Sequence, residues 1–154
     1  MCIRDSALYL SRSDEPDTVD LADTLIMMGK KVLAPVLTDG HGRSLHEPAW
    51  AWYDSKNVRT GLWQIPEPIA PILPASAIDQ VEVVLCSALF VDRSGYRVGV
   101  GGGWYDRVLA HRADDVPVWA VVNDDEILDE VPHDPWDESV TAALTPSGLH
   151  MLGQ

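Results

Sequence analysis

The chain is poor in positive charge. Eleven Lys and Arg residues stand against 24 Asp and Glu among 154 residues, a formal net charge of −13. That balance excludes nucleic acid and an anionic membrane as general partners. It leaves small anionic ligands open, because a local basic or amide-lined pocket works inside an acidic protein. Cysteine is scarce too, with only Cys2 and Cys86. A disulfide framework and a CxxC metal site are both excluded, and Cys86, inside an apolar run, reads as a small core residue. Long hydrophobic runs are missing: residues 81–91 are interrupted by Glu82 and are too short to span a bilayer. No basic segment followed by an apolar one opens the chain, so the expected location is cytoplasmic. His41, His46, His111, His133 and His150 have no partners at ligand spacing, and no Ser/His/Asp or Cys/His constellation is readable. Internal repeats, heptads and low-complexity segments are absent.

What is present suits one globular domain spanning residues 1–154, expected as a monomer, with apolar residues at 46%. Residues 7–10 predict a short buried strand. Asp17 or Thr18 is a candidate N-cap for a helix ending at Met28, where Gly29 is a stop signal beside Lys30 and Lys31. Residues 32–36 predict a second strand, and strand–helix–strand order suggests a right-handed parallel crossover. Residues 49–53 are a possible strand with Trp50 and Trp52 on one face. The segment 63–74 contains four prolines and reads as a connection running over the surface. Residues 78–91 predict a third, central strand of the buried parallel type. A helix over 104–112, a strand over 116–122, a short helix or turn over 126–131 and a last strand over 139–144 follow, with residues 148 onward as a tail. The alternation argues for a three-layer α/β domain.

The most informative stretch is Asp92-Arg-Ser-Gly-Tyr-Arg-Val-Gly-Val-Gly-Gly-Gly-Trp-Tyr-Asp106. It holds glycines at 95, 99, 101, 102 and 103, with Arg97 among them and carboxylates at both ends. Glycines leave backbone N–H groups uncovered, so a ligand can approach the main chain closely. Before a helix they make an anion site, since the first amides are free and the dipole favours negative charge. Arg97 can add a bidentate fork to a phosphate, and Asp106 falls where a phosphate-borne Mg²⁺ could be reached.

This stretch resembles the signature of the 5-formyltetrahydrofolate cyclo-ligase (5,10-methenyltetrahydrofolate synthetase) family. The matching residues are Asp92, Gly95, Arg97, Val98, Gly99, Gly101, Gly103, Trp104, Tyr105 and Asp106. The family usually has Tyr where this chain has Trp104, and Pro where it has Ser87. The resemblance covers about residues 7–146. It implies a mostly parallel sheet with helices on both faces, of the CoA-transferase-like kind. It also implies ATP- and Mg²⁺-dependent closure of 5-formyltetrahydrofolate to 5,10-methenyltetrahydrofolate, with ADP and phosphate released. Arg97, Val98, Gly99, Val100, Gly101, Gly102, Gly103, Trp104 and Tyr105 then correspond to the nucleotide site, Arg97 and Tyr105 carrying the catalytic roles. Leu10, Glu15, Gly101, Gly103 and Trp104 correspond to the folate site. Asp106 and Asp137 correspond to the metal carboxylates, with Asp134 as the rival for the second place. Ile65-Pro-Glu67-Pro resembles the family segment that lines the pterin side, and Glu67 is not expected to be catalytic.

Family members open with a helix bearing Lys and Arg residues that grip the nucleotide. Residues 1–6 do not resemble it, and the resemblance therefore implies weak turnover without such a helix. A non-catalytic folate- or nucleotide-binding module is the alternative reading. A sugar-phosphate isomerase or transferase of similar architecture would need a general base aimed at a sugar carbon, and the sequence offers no candidate.

Overall fold

The computed structural model describes residues 5–99 and 103–153. Thirteen strands and two α-helices are distributed along the described chain. The first half contains β1 (Asp5–Leu8), α1 (Val19–Met27), β2 (Lys31–Thr38), β3 (Ser44–Trp52), β4 (Val58–Thr60), β5 (Pro66–Pro68) and β6 (Leu73–Pro74). The second contains β7 (Val83–Ser87), β8 (Phe90–Asp92), β9 (Arg97–Val98), α2 (Trp104–Leu109), β10 (Val118–Val121), β11 (Ile127–Leu128), β12 (Ala142–Thr145) and β13 (Gly148–Met151).

Eight strands form one sheet in the order β13-β12-β10-β7-β1-β2-β3-β6. The run from β12 to β2 is parallel, and antiparallel pairs close both edges. Parallel strands bury both faces, which is why β7 is mostly apolar and both β1 and β7 are largely hidden. Chain order reverses between β1 and β7, since β1 continues to β2 on one side and β7 to β10 on the other. Carboxyl ends at such a reversal open a crevice where ligands sit in α/β sheets. β2 carries Pro35 within its span, yet the parallel register of β2 on β1 ends at Leu33, so the ring costs no hydrogen bond on that side.

Two smaller ribbons stand outside the main sheet: β11-β8-β9, and β4 paired antiparallel with β5. The helix α1 packs on β2 and α2 on β3. The Tyr53 hydroxyl donates to Asp23 Oδ1 of α1 at 2.6 Å, whereas Trp50 meets Trp104 of α2 edge-on at 5.1 Å between ring centroids. The helix α1 starts where Asp17 Oδ1 accepts the amides of Val19 and Asp20. The Thr18 hydroxyl instead ties the loop down by donating to the Tyr9 carbonyl. Gly29, at φ +77°, ends the helix, with its amide and that of Lys30 donating to Ile26 and Leu25 carbonyls. No helix among the described residues is long and apolar enough to cross a membrane.

Several sequence expectations need correction. The apolar run 78–91 is not one strand. Residues Ala75–Gln80 wind a 3-10 turn, β7 takes five residues, and β8 leaves to pair with β9. The helix after the glycines stops at Leu109 rather than residue 112. The segment expected to run over the surface instead buries Glu67 and Pro68. The expected tail is β13, an edge strand paired with β12. Gly148, at φ +132°, permits the sharp return between them.

Candidate active site

A cavity of about 370 Å³ opens at the carboxyl ends of β1 and β7 and is lined there by Leu10 and Ser87. One half is charged. Arg97 comes from β9, and Gly103, Trp104, Tyr105 and Asp106 come from the start of α2. Asp137 enters from the loop before β12 and Glu15 from the loop after β1. The other half is apolar. Leu37 of β2, Leu45 of β3 and Leu62, Trp63 and Ile65 of the β4–β5 turn face it.

The cavity thus gathers Leu10, Glu15, Arg97, Gly99, Gly103, Trp104, Tyr105, Asp106 and Asp137 from the sequence-derived site. Val98 is half-buried and is not part of the lining. Val100, Gly101 and Gly102 lie outside the described residues. Asp134 does not face the cavity. Its amide donates to Asp137 Oδ2 at 2.7 Å, so it orients the other carboxylate. Trp63 is a lining residue that sequence reasoning passed over; an aromatic next to Gly61 gave no periodic signal. It stands 70% exposed at the rim, and both it and Gln64 hold left-handed backbone, at φ +53° and +62°. Left-handed backbone is rare for bulky residues and points to a functional constraint.

Arg97 is the centre of the charged half. Only 7% of its side chain is exposed. Its guanidinium lies 3.4 Å from Asp106 Oδ1 and 5.3 Å from the centre of the Tyr105 ring. Among the described residues its Nε and the Tyr105 hydroxyl are buried without hydrogen-bond partners. Burial raises the Tyr105 phenol well above its ordinary pKa, so at neutral pH it stands as an O–H donor. Burial also raises Tyr9, with Glu15 adding to the effect. Cys86 behind the site is pushed up to about 11 by burial and is an inert core thiol.

A rigid frame holds these groups. Asp92 is buried, and its carboxylate accepts the amides of Ser94 and Tyr96 on one oxygen and that of Val131 on the other. Gly95 turns the chain at φ +96°, and its carbonyl accepts the Val140 amide at 2.7 Å. Tyr96 and His133 stack face to face at 3.5 Å. The β8–β9 hairpin that bears Arg97 and the 131–140 segment that bears Asp137 are therefore pinned together. Asp106 joins the same frame, because its Oδ1 accepts the Glu138 amide at 3.2 Å. The two acidic residues are thus presented to one cavity from adjacent backbone. Among the described residues no group of three or more His, Cys, Asp and Glu side chains converges to hold an ion alone.

Comparison with known proteins agrees with this arrangement. The profile of the 5-formyltetrahydrofolate cyclo-ligase family matches residues 5–146. The chain is similar to the 5-formyltetrahydrofolate cyclo-ligase of Mycolicibacterium smegmatis, 41% identical over 138 residues that cover 90% of this chain and 71% of the relative. The Escherichia coli enzyme of the same name is 31% identical over 145 residues, covering 92% and 77%. Among solved structures, the NMR structure of Aquifex aeolicus 5,10-methenyltetrahydrofolate synthetase superposes with a TM-score of 0.76 at 21% identity, covering 99% of this chain and 73% of that one. The synthetase of Mycoplasma pneumoniae gives 0.65 at 17% identity, covering 92% and 73%. These two share the fold. With a profile match that runs from β1 to the end of β12 and takes in every charged group of the cavity, the chain belongs to the 5-formyltetrahydrofolate cyclo-ligase family.

Proposed function

We propose that the chain closes 5-formyltetrahydrofolate to 5,10-methenyltetrahydrofolate at the expense of ATP, with Mg²⁺ bound alongside the nucleotide. One observation carries the reading: Arg97, Tyr105, Asp106 and Asp137 meet in one cavity whose opposite half is apolar. A flat, largely apolar ring system with polar edges fits such a two-sided pocket. In the reaction so assigned, the formamide oxygen takes the γ-phosphoryl group and ADP departs. N10 then closes the ring as phosphate leaves. Phosphoryl transfer of this kind asks for position and charge balance rather than a protein nucleophile, and the site has no such nucleophile in view.

Arg97 is suited to the transferring phosphate. Its buried charge is only partly met by Asp106 at 3.4 Å, and its Nε has no partner among the described residues. Tyr105 is a fixed O–H donor for a ligand oxygen. The apolar residues Leu37, Leu62 and Ile65, with Trp63 at the rim, are suited to the ring side, and Leu10 and Glu15 to its polar edge. Mg²⁺ takes one or two carboxylates together with phosphates and waters. Asp106 and Asp137, both lining the cavity, suit that demand, which fits an ion that arrives with the nucleotide. Such an ion would neutralise phosphate charge. The parallel run from β12 to β2, with α1 packed on β2 and α2 on β3, supports a three-layer, CoA-transferase-like fold.

The test is to mix the purified protein with ATP, Mg²⁺ and 5-formyltetrahydrofolate, follow the methenyl chromophore by absorbance, and measure binding of each ligand by calorimetry. ATP-dependent product is expected. Binding of both ligands without product would favour the non-catalytic module, and binding of neither would overturn the assignment.

A further inference from the structure

Glu67 sits between two prolines in β5, is fully buried, and does not touch the cavity. Its carboxylate is saturated. Oε1 accepts the Leu37 amide at 2.8 Å. Oε2 accepts the Thr38 hydroxyl at 2.7 Å and two guanidinium nitrogens of Arg59 at 3.3 and 3.2 Å. Arg59 also donates to the Thr38 carbonyl at 3.3 Å, closing the cluster. A buried carboxylate is retained only when its charge is paired and its lone pairs are used, and here both conditions hold.

The position of this cluster matters. β2 has run past its parallel pairing with β1 by Leu37, so the Leu37 amide would otherwise lack a strand partner on that side. Glu67 supplies the acceptor. The β4–β5 ribbon is not part of the main sheet, and the turn between its strands brings Leu62, Trp63 and Ile65 to the cavity. That turn is closed by the Gly61 amide donating to the Ile65 carbonyl and holds two left-handed residues in succession. Strained turns persist only where their surroundings over-determine them. Glu67 does this: a Cβ on Gly61 would come within 2.5–2.8 Å of the Glu67 side chain, so the turn rests directly on the carboxyl group. One carboxylate therefore joins the two pieces of the apolar wall, the end of β2 and the β4–β5 turn. None of its hydrogen-bond partners belongs to the charged half.

We propose that Glu67 is a positioning residue that sets the apolar wall against the folate ring, and that it governs folate affinity while leaving the nucleotide side untouched. The inference rests on the cyclo-ligase reading. Glu67→Gln keeps the shape, breaks the pairing with Arg59 and turns an amide toward donors. Both Glu67→Gln and Glu67→Ala are compared with wild type for the KM of each substrate, kcat and direct calorimetric binding of 5-formyltetrahydrofolate without ATP. The folate KM and Kd are expected to rise roughly tenfold or more in Glu67→Gln and further in Glu67→Ala, with kcat at saturation and the KM for ATP within about threefold, the pattern of a lost uniform-binding contribution. Thr38→Val removes one donor to the same carboxylate with little change in shape, and it carries the test if the Glu67 variants do not fold; a smaller rise confined to folate is expected. A folate KM and Kd equal to wild type in the folded variants would overturn the proposal. So would an equal rise for ATP, which is the mark of a general structural role. Wild type that binds folate without turnover would count against the cyclo-ligase assignment alone, because the Kd comparison still decides the role of Glu67.

Discussion

Replacing Gly95 with alanine separates backbone strain from a steric demand that only this position makes. Gly95 and Gly29 both hold positive φ, at +96° and +77°. A side chain forced into left-handed backbone costs about 1–2 kcal/mol at either position. Around Gly29 nothing lies within 4 Å of an added Cβ. At Gly95 the added Cβ would drive into the carbonyl oxygen of Val140, a backbone atom that cannot rotate away. The two segments must then part, and the 2.7 Å hydrogen bond from the Val140 amide to Gly95 is lost. Leaving a buried amide unpaired costs about 1–3 kcal/mol more. The expected destabilisation is therefore about 1–2 kcal/mol for Gly29→Ala and about 2–5 kcal/mol for Gly95→Ala. For a chain of this size each kcal/mol lowers Tm by about 2–4 °C, so Gly95→Ala should melt about 2–12 °C below Gly29→Ala. Calorimetric scans give Tm, and urea titrations should show a lower midpoint at unchanged slope. Two variants melting within about 2 °C of each other would refute the claim that Gly95 is set by close approach. Catalysis supplies a second reading, because the hairpin beyond Gly95 carries Arg97 and the strap beyond Val140 leads back to Asp137. Gly29→Ala should leave turnover intact, whereas Gly95→Ala should lower it even below the melting transition.

If Arg97 grips phosphate as proposed, Arg97→Ala should lower kcat/KM for ATP by about 1.5–3 kcal/mol, roughly 10- to 150-fold; equal turnover would leave Arg97 without a role. Because only 7% of that side chain is exposed, the same variant should also lose stability, which a thermal melt reads directly. Asp137→Asn should raise the Mg²⁺ concentration needed for half-maximal rate, whereas Asp134→Asn should not shift it beyond the small effect of a loosened loop; the reverse order would exchange their assignments. Stability should decline at alkaline pH. Cys86 has a folded pKa raised from 9.0 to about 11, so its contribution is intact below pH 9 and is lost as pH rises through about 11. The contribution is on the order of 2–3 kcal/mol, and Cys86→Ala should flatten this part of the pH–stability curve measured by urea unfolding. The buried phenols of Tyr9 and Tyr105 act in the same direction at higher pH, and the tyrosinate absorbance of these two should appear only as the chain unfolds.

The charged half of the site was legible in the sequence because its chemistry is local. Arg97, Gly103, Trp104, Tyr105 and Asp106 lie within ten consecutive residues, and the glycines announce an unusual backbone. Asp137 was found only through family resemblance, since a proline-punctuated acidic loop looks the same whether or not it reaches a cavity. The apolar half was not legible. Glu67 between prolines gives no hint that its partners Leu37 and Thr38 precede it by about 30 residues. The run 78–91 misled for a related reason. Uniform β-formers mark strand character, but nothing in them marks where the chain leaves the main sheet at Leu89, whose amide donates to Val98. The central place of β7 was readable from its lack of charge, whereas the edge strand β13 resembled a tail because it is short, half-polar and follows a proline.

The seam between β1 and β7 has a consequence for how the protein comes into being. Ser6 pairs with Val83, so β1 must wait for residues far downstream before its second edge is covered. When β6 has emerged from the ribosome, β2, β3 and the β4–β5 ribbon already offer the apolar wall, while Arg97, Asp106 and Asp137 have yet to emerge. That nascent species carries an open strand edge, the kind of surface that invites pairing with another chain. Pairing across such a long loop is slow, so the vulnerable interval is set by translation through the segment that precedes β7. A ligand that spans both halves of the finished cavity would staple across this seam, and the yield of folded protein from synthesis in its presence should reflect that.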